Sequence, residues 1–171
     1  LNYDERIWGK RSMTEVLEFS INTGAVFAQQ QLGNEKFLQA LEKFGMFYPT
    51  GIDLAGEAYS QNQELKKGYD INFATASFGQ GIEITPMQLV RAYSALANKG
   101  VMAKPYVVEK LMEENTEYKT KSEFSLPVVS PKTANLITQM MVNVIENGFS
   151  KRAKIPGYYL AGKTGTAQKV V

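Results

Sequence analysis

Histidine and cysteine are both missing from this chain of 171 residues. Without imidazole there is no Ser-His triad, without thiol there is no thiolate nucleophile or disulfide, and without either there is no Cys/His zinc site. Any proton transfer falls to Lys, Asp, Glu, Tyr or Ser. Long hydrophobic runs are lacking too: no window approaches the roughly twenty apolar residues that span a bilayer. The start, Leu1-Asn2-Tyr3-Asp4-Glu5-Arg6, has neither an initiating Met nor a signal-peptide core. Charge of one sign is also scarce, because 19 basic side chains face 17 acidic ones for a net charge of +2. That balance argues against a strongly cationic nucleic-acid or membrane surface.

What remains is enough to fold. At 44% hydrophobic residues the chain can bury one core, as one domain or a large piece of one. It is not a disordered composition. The lack of cysteine leaves the compartment open, since exported proteins need not carry disulfides. Tyr158-Tyr159-Leu160-Ala161 runs toward Val170-Val171 while still strand-like, so both ends read as cuts through a larger domain.

Helical periodicity dominates the chain. Thr14 to Phe19 reads as a short amphipathic helix that halts at Ser20-Ile21-Asn22 before Ala25 to Leu32 resumes the period. Asn34 is placed to cap a helix bearing Phe37, Leu38, Leu41 and Phe44, and Gly45 to stop it. Turn formers from Phe47 to Lys67 predict a long surface loop. Thr85-Pro86-Met87-Gln88 is the clearest helix start, with a capping pair and proline at the first turn. Its expected apolar face is Leu89, Tyr93, Leu96 and Ala97, closed by Gly100. A strand is predicted over Tyr106 to Met112, and polar, turn-like chain over Glu113 to Glu123. Ser130-Pro131 opens a last helix with Ala134, Ile137, Met141, Val144 and Ile145 inward, ending near Gly148. Helices first and strands toward the C-terminus favour a segregated α+β fold.

Two short motifs carry chemistry. Lys163-Thr164-Gly165-Thr166 and Ser20-Ile21-Asn22 match two of the three motifs, S-x-x-K, S-x-N and K-T-G, of serine acyl-transfer enzymes. The third is absent, because no serine in the chain is followed three residues later by lysine. A strand carrying Lys163 beside Thr164 and Thr166 offers one cation and two hydroxyls for a substrate carboxylate, and Gly165 lets another backbone lie alongside. Each tripeptide also has an ordinary reading, as a solvated strand lysine or a local turn. Ser60-Gln61-Asn62 matches S-x-N as well, but Ser20 is the better candidate because it interrupts two apolar helical segments, where a polar pair must be satisfied or line a cleft. Gly157 to Thr164 also satisfies the phosphate-loop pattern G-x-x-x-x-G-K-[ST], which needs a buried strand before it and a helix after it. Lys151 to Pro156 does not read as such a strand. Phe78-Gly79-Gln80-Gly81 is a lone G-x-G, more often a turn than a phosphate cradle.

Five blocks in order now make the chain resemble the class B penicillin-binding proteins, the D,D-transpeptidases that cross-link peptidoglycan. They are Ser20-Ile21-Asn22-Thr23-Gly24-Ala25, then Gly51-Ile52-Asp53-Leu54 before Gly56-Glu57, then Ser77-Phe78-Gly79-Gln80-Gly81 leading to Thr85-Pro86-Met87-Gln88-Leu89, then Arg91-Ala92-Tyr93 with Ala97-Asn98-Lys99-Gly100, and Ala161-Gly162-Lys163-Thr164-Gly165-Thr166-Ala167-Gln168. The resemblance implies part of a penicillin-binding-protein/serine β-lactamase-like fold over residues 1–171, lacking the S-x-x-K segment upstream and the strands after K-T-G. It implies catalytic roles for Ser20, Asn22 and Lys163 and substrate binding by Thr164, Gly165 and Thr166, with no metal and no cofactor. The implied partners are the acyl-D-Ala-D-Ala stem peptide and β-lactams, not nucleic acid. The implied setting is the outer face of the bacterial cell membrane, with the parent anchored there in a cell-wall synthesis complex. The isolated chain is expected to be inactive. The competing expectations are a nucleotide-binding fragment and a non-catalytic scaffold relative.

Overall fold

A computed structural model describes Asn2 and residues 5–165 of the chain. In order, the elements are α1 (Met13–Glu18), α2 (Asn22–Leu32), α3 (Asn34–Lys43), α4 (Gln63–Lys66), α5 (Asp70–Ala76), α6 (Pro86–Ala97), β1 (Lys110–Glu113), β2 (Thr116–Lys119) and α7 (Pro131–Glu146), followed by a 3-10 turn at Lys151–Ala153. The α+β expectation holds, with helix predominant. The chain divides into two compact units.

The first unit comprises residues 1–38, 62–82 and 136–171. Helix α1 starts at a reciprocal cap that the sequence reading overlooked: the Glu15 amide donates to Ser12 Oγ at 3.3 Å and the Ser12 amide donates to Glu15 Oε2 at 2.9 Å. A β-carbon on Gly24 would strike the Val16 side chain, so glycine there lets α2 lie close against α1. Val16, Ile21, Leu65, Phe73, Ala76, Met141, Val144 and Ile145 form the buried apolar set. Phe37 meets Phe73 edge-on at 6.4 Å. Gln29, also buried, donates to Asn34 Oδ1 at 2.7 Å, and Asn34 Nδ2 donates to Asp70 Oδ1 at 2.6 Å. Thus Asn34 is the first residue of α3, and its side chain serves a polar chain to α5.

The second unit comprises residues 39–61 and 83–135. Helix α6 begins as the sequence demands, with the Gln88 amide on Thr85 Oγ1 and the Thr85 amide on Gln88 Oε1. Its buried face is different from the expected one. Gln88, Ala92 and Ala95 are buried, whereas Leu89 and Tyr93 are 46% and 40% exposed. The cause is that Gln88 Nε2 donates to the carbonyls of Gly45, Met46 and Tyr48, the nearest at 2.9 Å, and the two alanines allow that close approach. The stretch from Phe47 to Lys67 is likewise less superficial than expected. Phe47 and Thr50 are buried, α4 lies within it, and Glu57 accepts from Thr50 Oγ1 at 2.6 Å and from the amides of Thr50 and Gly51.

The strand expected over residues 106–112 is displaced. β1 and β2 form a two-stranded antiparallel hairpin with Leu111 opposite Tyr118, joined through Glu114 and Asn115, both at positive φ. That is the backbone of a two-residue hairpin loop, written without the glycine that usually signals it. The Val107 and Val108 amides instead bind the Asp53 carboxylate, at 2.7 and 2.8 Å. Those bonds, Val108 first, hold the Asp53 carboxyl below its ordinary pKa.

Candidate active site

Ser20 owes its position to the way α1 ends. Phe19 is the C-cap, Ser20 follows at φ +50°, the Ser20 amide donates to the Leu17 carbonyl at 3.3 Å, and the Ile21 amide donates to the Val16 carbonyl at 2.9 Å. This is a Schellman ending, with the buried Ile21–Val16 pair as its usual apolar accompaniment. The left-handed residue in such an ending is ordinarily glycine, because a β-carbon is disfavoured there. A serine held in that conformation is a strained residue of the kind that gathers at functional sites. Asn22 is the first residue of α2, half-buried, two residues beyond it.

Lys163 comes from the other end of the chain. Before it, the Gly162 amide donates to the Met141 carbonyl of α7 at 3.2 Å. A β-carbon at Gly162 would sit 3.1 Å from Ile145 Cδ1, so the chain runs close along α7. Lys163 then extends its ammonium to Ser20 Oγ at 2.8 Å, across 143 residues of sequence. The same nitrogen donates to the Thr164 carbonyl at 3.1 Å and to Thr164 Oγ1 at 3.2 Å. Desolvation by burial lowers the lysine pKa from its ordinary value. A partly desolvated ammonium bonded to a serine hydroxyl at 2.8 Å has the geometry of a proton relay.

Thr164 and Gly165 are both exposed, and the Gly165 α-carbon has open space on its side-chain face. Thr166 lies outside the described residues. Residues 158–165 carry neither helix nor strand, so the strand expected to bear Lys163 is not present among the described residues. Ser60, the competing S-x-N serine, belongs to the second unit, whereas Ser20 and Lys163 share the first. The phosphate-loop reading fails on its context. A 3-10 turn and not a strand precedes Gly157, and Tyr158 and Tyr159 are 71% and 86% exposed where a buried loop would hold them. No cluster of metal-ligating side chains occurs among the described residues.

Three features of the site went unread in the sequence: the left-handed Ser20, the aromatic ring set of Trp8, Phe19 and Phe149, and the tight seat of Gly148. Phe19 stacks on Trp8 at 5.2 Å and meets Phe149 edge-on at 5.6 Å. A β-carbon on Gly148 would overlap the Glu18 carbonyl oxygen. The glycine after α7 was visible as a helix stop, but its partner, 130 residues earlier in the chain by count from Glu18 to Gly148, was not. A cavity of about 530 Å³ lined by Trp8, Arg11, Val16, Ile21 and Phe27 adjoins this region but holds neither Ser20 nor Lys163.

Comparison with known proteins agrees in sequence and in shape. The family model described as penicillin binding protein transpeptidase domain matches residues 1–171. Stage V sporulation protein D of Bacillus subtilis is 35% identical over 165 residues, covering 95% of this chain and 26% of that protein. Penicillin-binding protein 3 of Mycobacterium tuberculosis, solved with aztreonam, superposes with a TM-score of 0.87 at 31% identity over 94% of this chain and 38% of that one. Penicillin-binding protein A of M. tuberculosis, solved as a ceftriaxone acyl-enzyme, gives 0.86 at 26% identity over 99% of this chain and 39% of that one. The chain therefore spans about a quarter of the length of the Bacillus relative.

Proposed function

The chain belongs to the penicillin-binding protein transpeptidase domain family, and we propose that it supplies the central part of a peptidoglycan D,D-transpeptidase acting through an acyl-serine intermediate. The observation that carries this reading is the 2.8 Å hydrogen bond from Lys163 to a left-handed Ser20. The attacking serine comes from an S-x-x-K segment outside these 171 residues. It adds to the penultimate D-Ala carbonyl, the C–N bond breaks, D-Ala leaves, and an amine of a neighbouring stem peptide takes the acyl group and restores the serine.

Each residue of the chain then has a task. Ser20 passes a proton to the departing amine, and Lys163 holds the Ser20 hydroxyl in place. Its positive charge also favours the neutral, basic form of the S-x-x-K lysine. Asn22 fixes that second lysine and the substrate amide. Thr164, Gly165 and Thr166 take the terminal carboxylate along an extended edge, and the Thr166 amide shares the developing oxyanion with the amide of the attacking serine. A β-lactam follows the same path and stops at the acyl-enzyme, which accords with the ceftriaxone acyl-enzyme of penicillin-binding protein A. We place the parent protein at the outer face of the cell membrane, where its polymeric substrate lies, anchored and within a cell-wall synthesis complex.

Intact-mass measurement after incubation with penicillin tests the reading. The longer protein carrying S-x-x-K should gain one penicilloyl group, and the 171-residue chain should gain none. An adduct on the short chain would overturn the assignment of the nucleophile. Absence of an adduct on the long one would overturn the function.

A further inference from the structure

We propose that Phe149 is a positioning residue for the Ser20–Lys163 pair, acting through Phe19. This rests on the reading of that pair as the proton-relay site. Ser20 and Lys163 reach each other from opposite ends of the chain, and both approaches are fixed by the last turns of α7 and the residues just after it. On the lysine side, the Met141 carbonyl takes the Gly162 amide. On the serine side, Gly148 seats against the Glu18 carbonyl, and the next residue, Phe149, sets its ring edge against Phe19 at 5.6 Å and 68°. One helix end is thus the common reference for two groups 143 residues apart.

Phe19 is the residue through which this hold reaches the hydroxyl. It is the C-cap of α1, directly before the left-handed Ser20, so the direction of Oγ depends on the backbone at residues 19 and 20. Ser20 has a β-carbon in a conformation that favours glycine, and the strained turn persists only where its surroundings over-determine it. The Phe19 ring is clamped between Trp8, stacked at 5.2 Å, and Phe149. Arg6 and Arg11 lie over the outer rings at 5.8 and 5.5 Å. A purely structural role fits Phe149 poorly, because the side chain is 59% exposed and gives up little apolar surface to a core. Its aromatic contact is with Phe19, and Arg6 covers its ring.

The test uses this chain with Phe149→Ala, with Phe149→Tyr as the conservative variant that keeps the ring edge. Lysine 13Cε resonances are titrated by NMR, Lys163 being assigned from its loss in Lys163→Arg, with the far-UV spectrum as a check of folding. Phe149→Ala should loosen the turn, hydrate the Lys163 ammonium and raise its proton affinity by about threefold or more, while Phe149→Tyr leaves it near wild type. Phe19→Leu should move it in the same direction. In the longer protein, Phe149→Ala should slow penicillin acylation about tenfold with little change in initial binding, since it misplaces a relay and removes no substrate contact.

A folded Phe149→Ala chain whose Lys163 titrates as in wild type would overturn the proposal. If that variant unfolds, Phe149→Leu is read in its place, and unfolding of both would make Phe149 a stability residue and overturn it equally. Failure of wild-type acylation would sink the functional reading alone, because the titration still decides whether Phe149 holds the pair.

Discussion

The ammonium of Lys163 stands 2.8 Å from the hydroxyl of Ser20 and gives its other hydrogen bonds to Thr164. A half-buried lysine spending its protons on neutral oxygens is available to donate or to withhold charge, and a lysine neutralised by a carboxylate would not be. Lys163→Met keeps the apolar stem and deletes the charge. In the longer protein it should fold normally and slow penicillin acylation by about a hundredfold or more. Lys163→Arg should also lose most activity, because a planar fork cannot replace a compact ammonium. Stopped-flow acylation within a few-fold of wild type for Lys163→Met would remove it from the site.

Gln88 is the polar hinge-pin of the second unit, closing the α6 cap with Oε1 and binding the carbonyls of residues 45, 46 and 48 with Nε2. Gln88→Leu fills a similar volume but strands those acceptors. We expect a loss of about 2–4 kcal/mol, read as a lower urea midpoint. A midpoint unchanged from wild type would show that water replaces the amide.

Gly100 sits at φ +96°, and a β-carbon there would overlap the Val129 carbonyl oxygen. Gly100→Ala therefore combines backbone strain with a collision against main chain that cannot swing aside. The expected cost is about 3 kcal/mol or more by denaturant melt, larger than an exposed Gly→Ala change in the opposite, stabilising direction.

Glu15 is held at a pKa of about 2, from an ordinary 4.5, first by the Ser12 amide and then by the Arg11 and Ser12 side chains. A carboxyl depressed on folding stabilises fully above its unfolded pKa and ceases to do so as pH falls through its folded one. Thermal unfolding of Glu15→Gln should therefore show a deficit against wild type above pH 4.5 that closes as the pH is lowered toward 2. A deficit independent of pH would mean that the cap works by shape and not by charge.

Local chemistry was legible where one stretch of chain decides the outcome. Thr85-Pro86-Met87-Gln88 starts α6 because capping is settled within four residues, and the inward positions of α7 follow from periodicity alone. The face of α6 was misread because small alanines and a buried glutamine outrank leucine and tyrosine only once their partners at residues 45–48 are known. The hairpin was hidden by a Glu114-Asn115 turn without glycine, and by valine amides that serve Asp53 and not a strand. At the site, Ser20 and Lys163 were visible as motif residues. The left-handed turn is local but carries serine where glycine is the usual signal, and the Ser20–Lys163 hydrogen bond and the Phe19–Phe149 contact are pairings across more than a hundred residues, which no local pattern encodes.

The Schellman ending of α1 makes Ser20 a gauge of the chain's history. Mutational drift under selection for folding alone would favour glycine at that position, so Ser20→Gly should leave a protein that melts higher and acylates slower. A lineage kept only as a scaffold has no reason to retain the costlier residue. The heat tolerance gained by that one substitution therefore measures what has been forgone to keep a hydroxyl beside Lys163.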